Sequence, residues 1–370
     1  MSSRREFLGK AAASVATAAG LCFTGCGLLG PHVHAQGGGR RLVTVGGKRV
    51  KVIDVHAHAA MPEAWDIAGI KVGGVNRPDL VLPQTMSQRL ADMDAQGIDM
   101  EALSVNAFWY GLDRDRAAKI CQIQNEKLAE LVAKNSDRFC AFASVALQFP
   151  DLAAQQLQDG VKKYNLKGAA IGGSVEGMEL SDAKLNPFWA KVEELGVPVF
   201  IHPQAGPGTG PALLKDRLKG NGRIDNVIGY PLETTIALSK LIFDGTLDRY
   251  PKLKIIGAHG GGFLPSYAAR SDRGCLTVPN SCPGGKHGPI KKEPTEYLKQ
   301  MFYDTMVFTP EGLRHLVAEV GVSQLMIGTD YPFPWTKTAV DHVLSTPGLS
   351  DADKAAILEG NAAKILGLTA

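Results

Sequence analysis

The sequence predicts a closed α/β barrel, a (β/α)8 fold in which eight parallel strands are wrapped by helices, on three observations. From about residue 50 onward, short apolar runs alternate with amphipathic helical stretches. The alternation repeats eight times over roughly 320 residues, and parallel strands need crossover helices that cover the outside of the sheet. The longer connections, 60–83, 204–230 and 273–296, are rich in Gly and Pro and all follow strands, on the side where a barrel has its mouth. A doubly wound open sheet is the competing architecture. No Gly-x-Gly-x-x-Gly follows the first strand, which speaks against its dinucleotide-binding form.

Ahead of the barrel the chain changes character. Residues 1–10 (MSSRREFLGK) are basic, residues 11–30 are apolar and small, and Val33-His34-Ala35 offers a small-x-small cleavage site. That is the pattern of a signal peptide and not of a membrane span. Ser3-Arg4-Arg5-Glu6-Phe7-Leu8 fits a twin-arginine signal, which directs a folded protein across the bacterial inner membrane. The expectation is therefore a cleaved signal over 1–35, a linker over 36–49, a barrel domain over 50–370 and a periplasmic protein. Phe23-Thr24-Gly25-Cys26 matches a lipobox more weakly, with anchoring at Cys26 as its consequence. Loss of residues 1–35 removes three basic residues and one acidic, leaving a net charge of about +1, which argues against a nucleic-acid or anionic-membrane partner.

Within the barrel, strands are expected at 52–56, 100–105, 139–145, 168–171, 197–202, 254–259, 301–306 and 324–330. Helices are expected between them at 86–96, 116–134, 152–164, 186–195, 232–248, 310–320 and 352–366, with a short one at 263–271. Cys121 and Cys140 fall in apolar stretches and read as core. Cys275 and Cys282 flank a Pro-containing loop and are placed to pair in an oxidising compartment.

The chemistry lies at the strand ends. His56 and His58, two apart in a strand, project on the same side, so both imidazoles can converge on one point over the barrel mouth. His202 and His259 end the fifth and sixth strands, and Asp330 ends the eighth. A lone histidine at such a place is more often a hydrogen-bonded core residue; four of them with a carboxylate argue for an ion. Three imidazoles and a carboxylate suit one divalent metal such as Zn²⁺, and Mn²⁺, Fe²⁺ or Co²⁺ fit the same donors. His287, His315 and His342 read as surface residues.

Three weaker features accompany the set. Asp304 closes the seventh strand and either orients a ligand or makes ordinary structural hydrogen bonds. Gly260-Gly261-Gly262 either lets an anion approach a helix N-terminus or forms a tight turn. Phe333, Pro334 and Trp335 are placed to wall an aromatic pocket.

With "DVHAH", "FIHP", "GYPLETTIA", "YPKLKIIGAHGGGFLP" and "GTDYPFP" together, the chain from about residue 51 to the end resembles the amidohydrolase superfamily. Within it the likeness is to the branch of aminocarboxymuconate-semialdehyde decarboxylase and related aromatic-acid decarboxylases. The resemblance implies that His56, His58, His202 and Asp330 hold one metal and that His259, with Asp330, is catalytic, His259 as the acid/base. It implies further that Arg270 binds a substrate carboxylate across the interface of a homodimer. Two departures concern the substrate: Gln204 follows Pro203 where the decarboxylase has Trp, and Arg77 is only a nearby candidate for an arginine expected after the first strand. The fourth strand ends Ile171-Gly172-Gly173, without the lysine that bridges two metals in binuclear relatives, so one ion is expected.

No nucleotide-phosphate loop and no Gly-x-Ser-x-Gly elbow is present. The favoured function is a metal-dependent, cofactor-free decarboxylase of an aromatic or unsaturated carboxylic acid. A hydrolase or hydratase acting on a lactone, amide or enol-acid through water activated by the same ion is the alternative. A binding or scaffold protein that has lost turnover is a third reading, disfavoured by the intact polar set.

Overall fold

A computed structural model describes residues 39–70, 86–204, 216–278 and 290–368, and Gly39–Ala370 form one compact unit. The signal segment, Cys26, Arg77, Cys282 and His287 lie outside the described residues.

The compact unit starts earlier than the expected boundary at residue 50. Strands β1 (Thr44–Val45) and β2 (Lys48–Arg49) form an antiparallel hairpin within what reads as linker over 36–49. Val43, Val45 and Val50 turn inward and are buried, while Arg40 and Arg49 both reach Asp99 and Arg41 pairs with Asp341. Burial of one face and ion pairing of the other attach the segment to the barrel.

Strand β3 (Ile53–His58) pairs in parallel with β4 (Met100–Ser104), and β4 with β5 (Phe139–Ala141). The chain turns at Phe142 into β6 (Ala143–Ser144), which pairs with β7 (Ala169–Ile171). The Phe142 amide donates to Leu103 O and the Ala143 amide to Gly168 O, so one continuous segment joins two sheets. A small hairpin, β8 (Ser174–Val175) and β9 (Met178–Glu179), follows and was not legible in the sequence. Parallel pairing then runs from β7 through β10 (Pro198–Ile201), β11 (Lys254–Gly257) and β12 (Phe302–Asp304) to β13 (Leu325–Met326). The ring closes because Val55 N donates to Ile327 O, Asp330 N to His56 O and His58 N to Tyr331 O. The expected eight-stranded barrel is the observed one.

The helices follow the expected order with shifted ends. Among them are α1 (Pro62–Ala68), α2 (Met86–Gln96), α3 (Arg114–Lys134), α4 (Pro150–Lys162), α5 (Asn186–Leu195), α6 (Gly229–Phe243), α7 (Leu264–Thr277) and α8 (Pro310–Val320); the stretch expected as one helix over 232–248 breaks after α6, and a separate short helix spans Thr246–Arg249. Helix α1 lies inside a connection read as loop, and α7 runs well past the expected residue 271. The stretch expected as one helix over 352–366 divides into α9 (Asp351–Ala355), a π-helical turn (Ala356–Gly360) and α10 (Asn361–Leu366). Proline opens α4, α5 and α8, where its missing N–H costs nothing. Gly196 ends α5 with φ 65°, a left-handed cap that suits glycine.

Strands β11 (Lys254–Gly257) and β13 (Leu325–Met326) stop short of His259 and Asp330. His259 has φ 55° and Asp330 φ 60°, left-handed conformations that leave the ladder and aim the side chains away from strand geometry. Beneath them a buried cluster of Val55, Phe142, Phe200, Ile256 and Met326 supports the site. It touches the site through Phe200, whose ring centre lies 4.9 Å from that of His56.

Candidate metal centre

His56 and His58 reach the site because Asp54 fixes the end of β3. Its buried carboxylate accepts the amides of His56 (2.9 Å) and Thr329 (3.2 Å), and the Thr329 hydroxyl as well. Asp54 thus laces the first strand to the segment carrying Asp330. Burial, followed by the nearby charge of Glu101, pushes the Asp54 carboxyl up to about 7.

Ligand atoms of His56, His58, His202 and Asp330 all lie within 4.8 Å of one another, and all four residues are buried. Asp330 Oδ1 is 2.8 Å from His58 Nε2, 3.2 Å from His56 Nε2 and 3.9 Å from His202 Nε2. Both ring nitrogens of the buried His202 have no hydrogen-bond partner among the described residues. Buried polar atoms without partners are rare, and three imidazoles around a carboxylate are the donors a borderline divalent cation takes. The residues fit one metal ion.

Electrostatics favour the same reading. Burial, reinforced by the neighbouring imidazoles, holds His202 well below the ordinary histidine value, and burial lowers His58 too, so both offer neutral lone pairs. Burial opposes charge on His56 as well. There the Asp330 carboxylate and the hydrogen bond to Asp304 outweigh it and push the imidazole up to about 10. Asp330 itself is held well below the carboxylate range, because the His56 charge and contacts from His259, His56 and His58 overcome the effect of burial.

Asp304 takes the orienting role. Its Oδ2 accepts from His56 Nδ1 at 2.6 Å and from the His259 amide at 2.8 Å; its Oδ1 accepts the amides of Gly260 (2.8 Å) and Met306 (3.0 Å). With its Nδ1 proton held by Asp304, His56 points Nε2 toward Asp330 and the other imidazoles, and loss of the Nε2 proton would leave a lone pair there for an ion. Ser104 Oγ does the same for His58, 2.9 Å from Nδ1.

The glycine run resolves as a tight turn. Gly261 N donates to Ala258 O and Gly262 N to His259 O, so these amides are already engaged. A Cβ on Gly261 would come within 2.6 Å of the Tyr303 ring, and one on Gly262 within 2.1 Å of Pro231 O. His259 stands outside the four-residue group, its Nε2 3.6 Å from Asp330 Oδ2, just beyond hydrogen-bond length.

Further back, Arg89 is buried, pairs with Glu101 at 2.6 Å and donates to His58 O at 2.8 Å. Its guanidinium also lies 4.7 Å from the centre of the Tyr331 ring.

A cavity of about 620 Å³ opens onto His259 and Asp330, with Tyr230, Phe263, Met306, Phe308 and Trp335 in its wall. Trp335 is therefore placed as expected, whereas Phe333 sits edge-on to His58 with ring centres 5.7 Å apart. His315, read as a surface residue, is exposed and also borders the cavity. Arg270 is exposed on α7 and does not line the cavity of its own chain. Gln204 is buried and donates to His202 O at 3.3 Å. A side chain at Gly173 would meet Glu233 within 2.7 Å and one at Gly172 would meet Gln204 within 2.9 Å, leaving no room for a metal-bridging lysine. Cys275 is disulfide-bonded, and its expected partner Cys282 lies outside the described residues.

Tyr230, Arg89, Glu101 and Asp54 were not picked out from the sequence. Tyr230 lies inside the quoted "GYPLETTIA", the one signal that pointed near it.

The described geometry has counterparts among known proteins. The 2-amino-3-carboxymuconate-6-semialdehyde decarboxylase of Dictyostelium discoideum is 32% identical over 283 residues, 76% of each chain. The gamma-resorcylate decarboxylase of Rhizobium radiobacter is 30% identical over 331 residues, 85% of this chain and 98% of its own. Among solved structures, a dihydroxybenzoic acid decarboxylase from Polaromonas sp. JS666, with bound manganese and the inhibitor 2-nitroresorcinol, superposes with a TM-score of 0.74. It is 28% identical, and the match covers 86% of this chain and 97% of that one. A family model described as amidohydrolase matches residues 53–368, from the first barrel strand to the last described residue. By fold, by site and by sequence, this chain belongs to the amidohydrolase family.

Proposed function

We propose that this protein is a metal-dependent, cofactor-free decarboxylase of a ring-hydroxylated aromatic acid. The observation that carries the reading is the buried group of His56, His58, His202 and Asp330 at the end of an aromatic-walled cavity, with His259 beside it. The decarboxylases to which the chain is similar support the reaction class, and their resorcylate and dihydroxybenzoate substrates support the substrate class.

A divalent ion held by those four residues would supply a Lewis acid that binds substrate oxygen and stabilises negative charge. The donor set suits zinc; manganese, present in the Polaromonas relative, is the competitor that elemental analysis separates. The cavity wall offers apolar faces to an aromatic ring, with Phe263, Phe308 and Trp335 available for contact. His259, fixed by the Asp304 carboxylate through its own amide, delivers a proton from its ring to the carbon that bears the carboxylate. A C–H bond forms there, the C–C bond to the carboxylate breaks, its electron pair returns to the ring, and carbon dioxide leaves. Solvent restores the proton.

Arg270, exposed and away from its own cavity, is proposed to enter the site of a second copy in a homodimer and to bind a carboxylate. Export to the periplasm by the twin-arginine route is proposed from Arg4 and Arg5 and the apolar segment after them.

The test is an assay of metal-loaded protein on hydroxylated benzoates and muconate-type acids, with carbon dioxide release followed beside lactone hydrolysis. Release from a ring-hydroxylated acid is expected. Lactone hydrolysis without any carbon dioxide release overturns the reading in favour of a hydrolase.

A further inference from the structure

Tyr230 opens α6 and lines the cavity together with His259 and Asp330. Its ring stands edge-on to that of His202, with centres 6.4 Å apart. Its backbone carbonyl accepts the Thr234 hydroxyl at 3.3 Å, which ties the residue into the helix. Among the described residues, its own hydroxyl makes no hydrogen bond. Asn226, Ser266 and His315 also border the cavity and carry donors, but of the lining residues that are neither candidate ligand nor acid/base, Tyr230 is the one whose ring packs against that of the candidate ligand His202. Arg223 adds positive charge nearby, its guanidinium 5.7 Å from the centre of the Trp335 ring.

We propose that Tyr230 is a specificity-determining residue whose hydroxyl donates a hydrogen bond to an oxygen substituent on the ring of the bound acid. A site that hydrogen-bonds a substrate oxygen discriminates against the analogue that lacks it, because the bound ring then covers the protein group and leaves it without a partner. The substrate class narrows accordingly, to aromatic acids that carry a ring oxygen on the Tyr230 side, and unsubstituted benzoates are discriminated against.

The assignment rests on the reading of the cavity as an aromatic-acid site, and the experiment separates the two. Metal-loaded wild type and Tyr230→Phe are titrated by calorimetry with a 2-hydroxybenzoate, a 2,6-dihydroxybenzoate and benzoate, and metal content is measured on the same preparations. The expected result is wild-type preference for a hydroxylated acid over benzoate, a loss of that preference by about tenfold in Tyr230→Phe, and unchanged metal content. Where turnover is measured, KM rises and kcat changes little. Wild type and variant binding the hydroxylated acids equally well overturns the Tyr230 assignment alone. Loss of metal in Tyr230→Phe also overturns it, since the residue would then act on His202 and not on substrate. Wild type that binds none of the three acids overturns the substrate reading and this assignment with it.

Discussion

His56 Nδ1 lies 2.6 Å from Asp304 Oδ2, and the same carboxylate oxygen accepts the backbone amide of His259 at 2.8 Å. One buried side chain therefore sets both the tautomer of a candidate ligand and the strained turn that presents the candidate acid/base. Asp304→Asn should weaken metal binding by about 10- to 100-fold, the usual scale for removing such a support, while the protein still folds. Chelator competition measures the affinity and circular dichroism the fold; wild-type affinity in Asp304→Asn would contradict the role.

His259 is outside the ligand group but beside Asp330. His259→Ala should keep its ion and its melting temperature and lose turnover by about two to four powers of ten. Metal analysis and steady-state kinetics on one preparation check this, and a metal-free variant would make His259 a ligand.

Metal uptake should depend on pH through His56. In the free protein its imidazole is pushed up to about 10, against burial, by Asp330 and Asp304, so at neutral pH it carries a proton that the bound state cannot keep. His58 and His202 are lowered and have no proton to give. Binding should release about one proton per ion at pH 7, and apparent affinity should rise about tenfold per pH unit on the acid side of 10. Calorimetry in buffers of different ionisation enthalpy counts the proton.

Removing the ion should cost stability as well as activity. Free metal at a hundred times its dissociation constant stabilises the fold by about 2.7 kcal/mol, read as a higher melting temperature. A paired His56→Ala and His58→Ala variant should lose this gain.

Glu101→Ala leaves the buried Arg89 guanidinium without its carboxylate and should destabilise by about 3 to 5 kcal/mol, with the strand end at His58 loosened. Denaturant titration gives the size of the loss.

Much of this centre was legible because its residues end apolar runs. His56, His58, His202, His259 and Asp330 could be placed at one rim by strand periodicity alone, and the barrel that gathers them was read from alternation. The supports were harder to see. Arg89 and Glu101 are charged residues in a helix and a strand, and only the fold reveals that they neutralise each other in the interior. Asp54 looked like one polar residue inside a strand, because its partners Thr329 and His56 meet only when the ring closes. Hairpin β1–β2 was assigned to a linker since its two short strands carry too few apolar residues to signal burial.

The seam between β3 and the segment after β13 joins residues about 270 positions apart, through Val55 to Ile327 and His58 to Tyr331. His56 and His58 stand on one lip of that seam and Asp330 on the other. An ion held between them would act as a clasp at the place where the ring is last to meet, because a chain made from its N-terminus acquires Asp330 only when most of the barrel already exists. Capture of metal thus reports that the circle is complete, and a nascent or truncated chain ending before Asp330 cannot hold the ion in this way.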